Sequence, residues 1–260
     1  MPARQCASRV SPGTARRALA PVVASALRNR VQSARKVAHV RRAPPVWLFD
    51  LDNTLHDASH AIFGTIDRRM TDYVERELGV DRSEANRLRT LYWRRYGATL
   101  LGLVRHHGID PHRFLRETHD FDVAALLRAE RGLVRLFARL PGRKLLLTNA
   151  PLAYAGSVLR GLSLHRHFGT RYSIERMRVH GTFRPKPSRL MLRSMLARER
   201  IRPSAAVLVE DSVTNLKAAR SLGMRTVLIT RHGAAPARRS PAAVGLRISS
   251  LHELARRLPR

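Results

Sequence analysis

The chain has 260 residues, 44% of them hydrophobic, and a formal net charge of +30 from 49 Lys+Arg against 19 Asp+Glu. That size suits one large globular domain or a domain with an insert, and no apolar run nears the roughly 18–20 residues of a bilayer span or forms a secretory signal's apolar core, so no membrane partner and a cytoplasmic location are expected. The single cysteine, Cys6, excludes an internal disulfide and a thiolate metal site.

The cationic residues are almost all arginine, with lysine only at Lys36, Lys144, Lys186 and Lys217, and they are spread along the chain. This reads as a compositional bias with solvated side chains whose field favours an anionic substrate, with nucleic acid as the less favoured partner. Residues 1–45 contain no acidic residue, are rich in Ala, Ser, Arg and Pro, and end at Pro44-Pro45. They are expected to be a disordered basic extension.

Beyond it, short apolar runs alternate with helical patterns. Val46-Trp47-Leu48-Phe49 is the first run, followed at once by Asp50-Leu51-Asp52-Asn53-Thr54-Leu55. Such a run suits a parallel strand buried on both faces, and two carboxylates one residue apart at its end can both face the ligand crevice if the chain turns there. One can attack phosphorus while the other manages protons. Residues 61–139 carry helical patterns over Ile62–Leu78, Arg82–Gly97 and Val123–Arg139, too much for a crossover, and are expected to form an inserted cap that closes over the sheet.

The second run, Lys144 to Leu147, leads into Thr148-Asn149-Ala150 and a helix over Pro151–Leu162; the hydroxyl and the helix-start amides suit a phosphate oxygen. Arg184-Pro185-Lys186-Pro187 then holds a rare lysine between prolines ahead of a helix over Pro187–Arg200. The third run, Ala206 to Val209, ends in Glu210-Asp211-Ser212, with Asn215 on the opening turn of a helix over Val213–Leu222. Adjacent carboxylates at a buried strand end repel one another unless a cation or a hydrogen-bond network absorbs the charge; a metal is the favoured answer, and an oxygen-rich, thiolate-free site together with phosphoryl chemistry points to magnesium. Arg225 to Ile229 is the fourth run. The expected fold is a doubly wound, Rossmann-like α/β parallel sheet over 46–60 and 140–260, with a helical cap inserted after the first strand.

The order Asp-x-Asp, Thr, Lys, acidic pair resembles the haloacid dehalogenase-like phosphohydrolase superfamily, over roughly residues 46–65 and 143–232. The resemblance implies a nucleophile at Asp50, an acid/base at Asp52, phosphate contacts from Thr148, Asn149 and Lys186, and Mg2+ held by Asp50, the Asp52 backbone carbonyl and Asp211. Glu210 stands where many relatives have Asp or Gly, and with Asn215 it is a candidate support behind the metal ligands. Asp52-Asn53-Thr54-Leu55-His56, the cap stretch Tyr96-Gly97-Ala98-Thr99-Leu100-Leu101-Gly102-Leu103 and His107 resemble the pyrimidine 5′-nucleotidase group, with Tyr96 and His107 as candidate substrate contacts. The implied activity is magnesium-dependent hydrolysis of a small-molecule phosphomonoester through an aspartyl-phosphate. The alternatives are another small phosphoester as substrate, a dehalogenase, and an Arg-rich nucleic-acid-binding protein on a phosphatase-like scaffold. A dehalogenase has no alkoxide leaving group for Asp52 to protonate.

Overall fold

The computed structural model describes residues 44–232 and 242–257. The basic extension expected over residues 1–45, Cys6 included, lies outside the described residues except for Pro44 and Pro45. Among the described residues, no helix is long and apolar enough to cross a membrane.

The first strand, β1 (Val46–Phe49), is buried on both faces because its residues alternate between two cores. Trp47 and Phe49 join one cluster with Leu146, Val207 and Val227, while Leu48 joins the other with Leu145, Leu147 and Leu208. Four helices follow: α1 (Ile62–Leu78), α2 (Arg82–Tyr96), α3 (Thr99–His107) and α4 (Pro111–His119). The Asp81 side chain caps α2 by accepting from Glu84 N, and Asp110 caps α4 by accepting from His112 N and Arg113 N. Their inner faces share a small core of Tyr73, Val74, Leu88, Tyr92, Leu103 and Phe114 that also takes in Ile174 and Phe183 from outside the cap.

The remaining elements are α5 (Leu133–Arg139), β2 (Lys144–Leu147), α6 (Leu152–Gly161), β3 (Thr170–Tyr172), the hairpin β4 (Arg178–Val179) and β5 (Thr182–Phe183), α7 (Arg189–Arg198), β6 (Ala206–Glu210), α8 (Val213–Arg220), β7 (Arg225–Ile229), β8 (Leu246–Ile248) and α9 (Leu254–Arg257). The main sheet runs β3-β2-β1-β6-β7-β8 and every pairing in it is parallel. Since β1 pairs with β2 on one side and β6 on the other, the crossovers diverge at β1, and a crevice opens at the carboxyl ends of these strands. The doubly wound sheet expected from the sequence is thus the observed architecture.

The segment Val123–Arg139, expected as one helix, differs. It starts as a single 3-10 turn at Ala124–Leu126 and becomes helical only at Leu133, after Gly132 in the left-handed region at φ 77°. Glu130 is drawn out of the helical register to accept hydrogen bonds from the Ser250 hydroxyl and from Leu251 N. Moreover, α5 packs on the sheet and not on the cap helices: the Phe137 ring lies 4.9 Å from that of Phe49. The short strands β3, β4, β5 and β8 carry arginines or span only two or three residues, so no apolar run announced them.

Within the cap, Gly102 explains part of the Gly-rich motif. A β-carbon there would lie 2.1 Å from Tyr92 Cγ, so α2 and α3 touch through a position where no side chain fits. Gly102→Ala should destabilise the protein by about 1–3 kcal/mol through overpacking, despite alanine's better helix propensity, which a urea titration would read directly.

Candidate active site

The site begins with the turn after β1. Asn53 adopts φ 58°, a left-handed conformation that asparagine tolerates, and its side-chain amide is anchored to Ser59, accepting from Ser59 N at 3.1 Å and donating to Ser59 Oγ at 2.9 Å. Leu55 N then bonds back to Leu51 O at 2.8 Å. The chain therefore reverses directly after the strand, as two functional carboxylates at this point require.

Asp50 is buried at the strand end, with its N–H on Val209 O. Its Oδ1 accepts from Lys186 Nζ at 2.6 Å, and Thr54 Oγ1 approaches its Oδ2 at 3.4 Å. The same ammonium group, only 3% exposed, donates to Glu210 Oε2 at 2.8 Å. Lys186 is held from behind by Asn149, whose Oδ1 accepts from Lys186 N at 2.9 Å and whose Nδ2 donates to Lys186 O at 3.1 Å. With its side chain committed to that loop, Asn149 has only its main-chain amide to offer a phosphate. Thr148 is buried next to it, its Oγ1 accepting from Ala150 N at 3.0 Å and its hydroxyl proton left to donate.

Asp50, Glu210 and Asp211 each present a carboxylate oxygen within 4.8 Å of the others. Three carboxylates against one ammonium leave excess negative charge in a buried place. Burial, and then the neighbouring Glu210, push Asp50 up to about 7, with Lys186 pulling the other way. Glu210 is raised by burial and held back by Lys186, and Asp211 is raised by burial and by Asp50. Burial disfavours the charge on Lys186, but Asp50 and Glu210 more than offset it and hold its pKa above the usual lysine range. A divalent cation would relieve this excess, and an all-oxygen donor set fits a hard ion of the magnesium class.

Asp52 lives in a different environment. Its Oδ1 accepts from Tyr154 Oη at 2.7 Å and bonds His56 Nε2 at 2.9 Å. Burial works against its charge, yet these hydrogen bonds outweigh that penalty and hold it below the ordinary carboxylate range. His56 is fully buried, its Nε2 faces Asp52, and its Nδ1 has no partner among the described residues. Tyr154 is kept protonated, first by burial and then by Asp52. His119, at the end of α4, packs edge-on against the Tyr154 ring at 5.5 Å, and burial lowers its pKa to about 4. Sequence reasoning met His56 only as the end of the Asp52–His56 motif and missed Tyr154 and His119. Only the return of α6 beneath β1 brings the tyrosine, 102 residues away, to Asp52.

The remaining candidates lie further out. Asn215 sits in the first turn of α8 behind the Ser212 cap. Tyr96 donates to or accepts from His106 Nε2 at 2.6 Å, and His107 Nε2 bonds Tyr92 Oη at 2.6 Å, so His107 is engaged within the cap.

Residues 46–223 match the family model for haloacid dehalogenase-like hydrolases. Among solved structures, the chain is similar to CbbY of Rhodobacter sphaeroides in complex with phosphate, with 22% identity, a TM-score of 0.57, and coverage of 81% of this chain and 96% of that one. A HAD phosphatase from Thermococcus onnurineus gives 20% identity and a TM-score of 0.57 over 82% of this chain and 96% of the other. Phosphate metabolism protein 8 of Saccharomyces cerevisiae is 35% identical over 68 residues, which is 26% of this chain and 21% of the yeast protein's length.

The raised Asp50 pKa has a sign that can be tested. Between the ordinary aspartate value of 3.8 and about 7, the folded chain keeps a proton that the unfolded chain has released, so this contribution to stability is full below about pH 4 and is lost as pH rises through about 7. In chelator, the thermal midpoint of the wild type should therefore fall relative to Asp50→Asn as pH is raised from about 5.5 to about 8. Millimolar Mg2+ at the upper pH should restore the wild type selectively. Parallel curves for the two proteins in thermal melts would contradict the crowding of charge described above.

Proposed function

The chain belongs to the haloacid dehalogenase-like hydrolases, and on that premise we propose that it is a magnesium-dependent phosphomonoester hydrolase acting through an aspartyl-phosphate on Asp50, with pyrimidine nucleoside 5′-monophosphates as substrates. The observation that carries this reading is the contrast between Asp50 and Asp52. The first is bound to Lys186 in a crowded anionic cluster; the second is set apart from that cluster and aligned by two hydrogen-bond donors, Tyr154 and His56. A nucleophile next to cationic charge, with a separate carboxyl aligned for proton transfer, is what a phosphate ester with an alkoxide leaving group demands. A dehalogenase needs the first aspartate and has no use for the second.

Asp50 Oδ attacks phosphorus and the bond from phosphorus to the leaving oxygen breaks, while Asp52 gives that oxygen a proton. In the substrate-free chain Asp52 is in its basic form; the arrival of an anionic phosphoryl group beside it raises its proton affinity and equips it to act as the acid. Asp52, again ionised, then takes a proton from water as the water oxygen attacks phosphorus and releases Asp50. Lys186 supplies positive charge beside the transferring group, and the Thr148 hydroxyl with the Asn149 main-chain amide orients its oxygens. Asp50, Asp211 and the Asp52 carbonyl would hold Mg2+, with Glu210 and Asn215 in support. Bound there, the cation would offset the repulsion between the attacking carboxylate and an anionic phosphate.

The nucleotide preference rests on the resemblance of the motif from Asp52 to His56, and of the cap stretch Tyr96 to Leu103, to the pyrimidine 5′-nucleotidase group.

Phosphate release from nucleoside monophosphates and sugar phosphates, with and without Mg2+, tests the reading: magnesium-dependent release from the pyrimidine monophosphates is expected, and none from Asp50→Asn. Release confined to other phosphoesters would keep the mechanism and overturn the substrate. Tyr154→Phe removes one charge-assisted hydrogen bond to Asp52 and should lower kcat roughly tenfold or more with KM nearly unchanged. A change confined to KM would assign Tyr154 to substrate binding instead.

A further inference from the structure

A cavity lies between the cap helices and the β4–β5 hairpin, with a volume of about 990 Å³. That is the upper end of the roughly 300–1,000 Å³ typical of small-molecule sites. None of Asp50, Asp52, Thr148, Lys186 or Asp211 lines it. The two places share the loop around Lys186, whose flanking residues Pro185 and Pro187 form part of the cavity wall, and the candidate substrate contact Tyr96 also lines the cavity.

Four arginines line this cavity, Arg95 and Arg105 from the cap with Arg178 and Arg184 from the hairpin side, and no aspartate or glutamate does. Elsewhere on the cap, Arg82, Arg87, Arg89 and Arg113 are each paired with a carboxylate. Among the described residues, the four cavity arginines have no such partner. Three of their guanidinium groups are nonetheless held in place. Arg178 stacks over Phe183 at 4.0 Å from the ring centroid, and Arg95 and Arg105 both lie over Tyr96, at 5.6 and 5.9 Å. Stacking on aromatic faces fixes the planar fork and leaves its N–H donors free. Two cations gathered over one ring repel each other, an arrangement that an anion in the cavity would relieve.

We propose that this cavity is a binding site for a small polyphosphate, inorganic or the polyphosphate arm of an organic ligand, separate from the catalytic cluster. Single-stranded nucleic acid is a poorer match. Sequence-tolerant strand binding uses open aromatic faces for base stacking, whereas here Phe183 is buried and both rings are covered by guanidinium groups. What the cavity offers is a converging set of bidentate donors suited to phosphoryl oxygens.

The test is equilibrium binding of inorganic tripolyphosphate to the full-length chain by calorimetry at near-physiological salt. Two variants with the same total charge reversal separate a site from a diffuse field: Arg105→Glu with Arg178→Glu inside the cavity, and Arg135→Glu with Arg139→Glu on the exposed face of α5. Saturable binding of one tripolyphosphate, weakened at least tenfold by the first pair and less than twofold by the second, is the expected result. Equal weakening by both pairs would reduce the cavity to a share of the general positive field and overturn the site. Should the first pair fail to fold, Thr182→Glu adds a carboxylate to the exposed lining and should produce the same selective loss. Displacement of tripolyphosphate from the cavity by a single-stranded oligonucleotide, with tighter binding of the oligonucleotide, would reassign the surface to nucleic acid. Because the readout is binding alone, its outcome is independent of whether Asp50 turns over any phosphoester.

Discussion

A single ammonium group, Lys186 Nζ, lies between the carboxylates of Asp50 and Glu210 in a place closed to solvent, and much of the local architecture follows from that arrangement. Taking these charges out of water is expensive, and their mutual attraction offsets the expense only if the geometry is held. The parallel pairing of β1 with β6 supplies two of the three groups, putting Phe49 opposite Val209, so that Asp50 and Glu210 leave adjacent strands together. The third comes from a loop with little freedom of its own: prolines flank Lys186, and the Asn149 side chain grips its backbone by both polar ends. Because Asp211 also reaches the cluster, three carboxylates face one ammonium, and two of them are left without a cation. That residual charge makes an oxygen-ligated cation the natural complement.

The two aspartates of the Asp-x-Asp turn show how one short segment yields two different acids. Asn53 supplies the backbone reversal, after which Asp50 stays with the sheet and Asp52 swings toward α6. Burial and a like-charged neighbour raise Asp50; hydrogen bonds from His56 and Tyr154 overcome burial and lower Asp52. Environments that push two carboxyls apart are the usual means by which one site divides the labour of nucleophile and proton carrier. Tyr154 in turn bears the edge of His119 at the end of the cap's last helix, which links the placement of Asp52 to the seating of the cap.

The cap is bound to the core through shared hydrophobic surface, with Ile174 and Phe183 entering its cluster. Its acidic residues are largely consumed by its own arginines, as in the network of Arg76, Glu77, Arg113 and Glu117. Arginines farther along, facing the β4–β5 hairpin, find no carboxylate among the described residues, and four of them line one cavity.

The chemistry of individual positions was legible in the sequence wherever neighbours along the chain determine it. Continuous apolar runs such as Val46–Phe49 and Ala206–Val209 can be stable only between two covering layers, and the polar residues that end them stand at one edge of the sheet. The sheet, the inserted cap helices and the cation-fitting acidic pair at a strand end were readable on those grounds, whereas the gathering of Lys186 with Asp50 and Asp211 was what the resemblance of the motif order implied. The tertiary structure decided what depends on distant partners: that α5 leaves the cap for the Phe49 face of the sheet, that Glu130 breaks a helix to cap Ser250 and Leu251, and that Asn149 holds the Lys186 loop. It also decided that His56 and Tyr154 share Asp52 and that four scattered arginines meet at one cavity. Propensity and periodicity act over a few residues, whereas a hydrogen bond across 102 positions, or the meeting of arginines from the cap and from the β4–β5 hairpin, exists only once the crossovers have been closed.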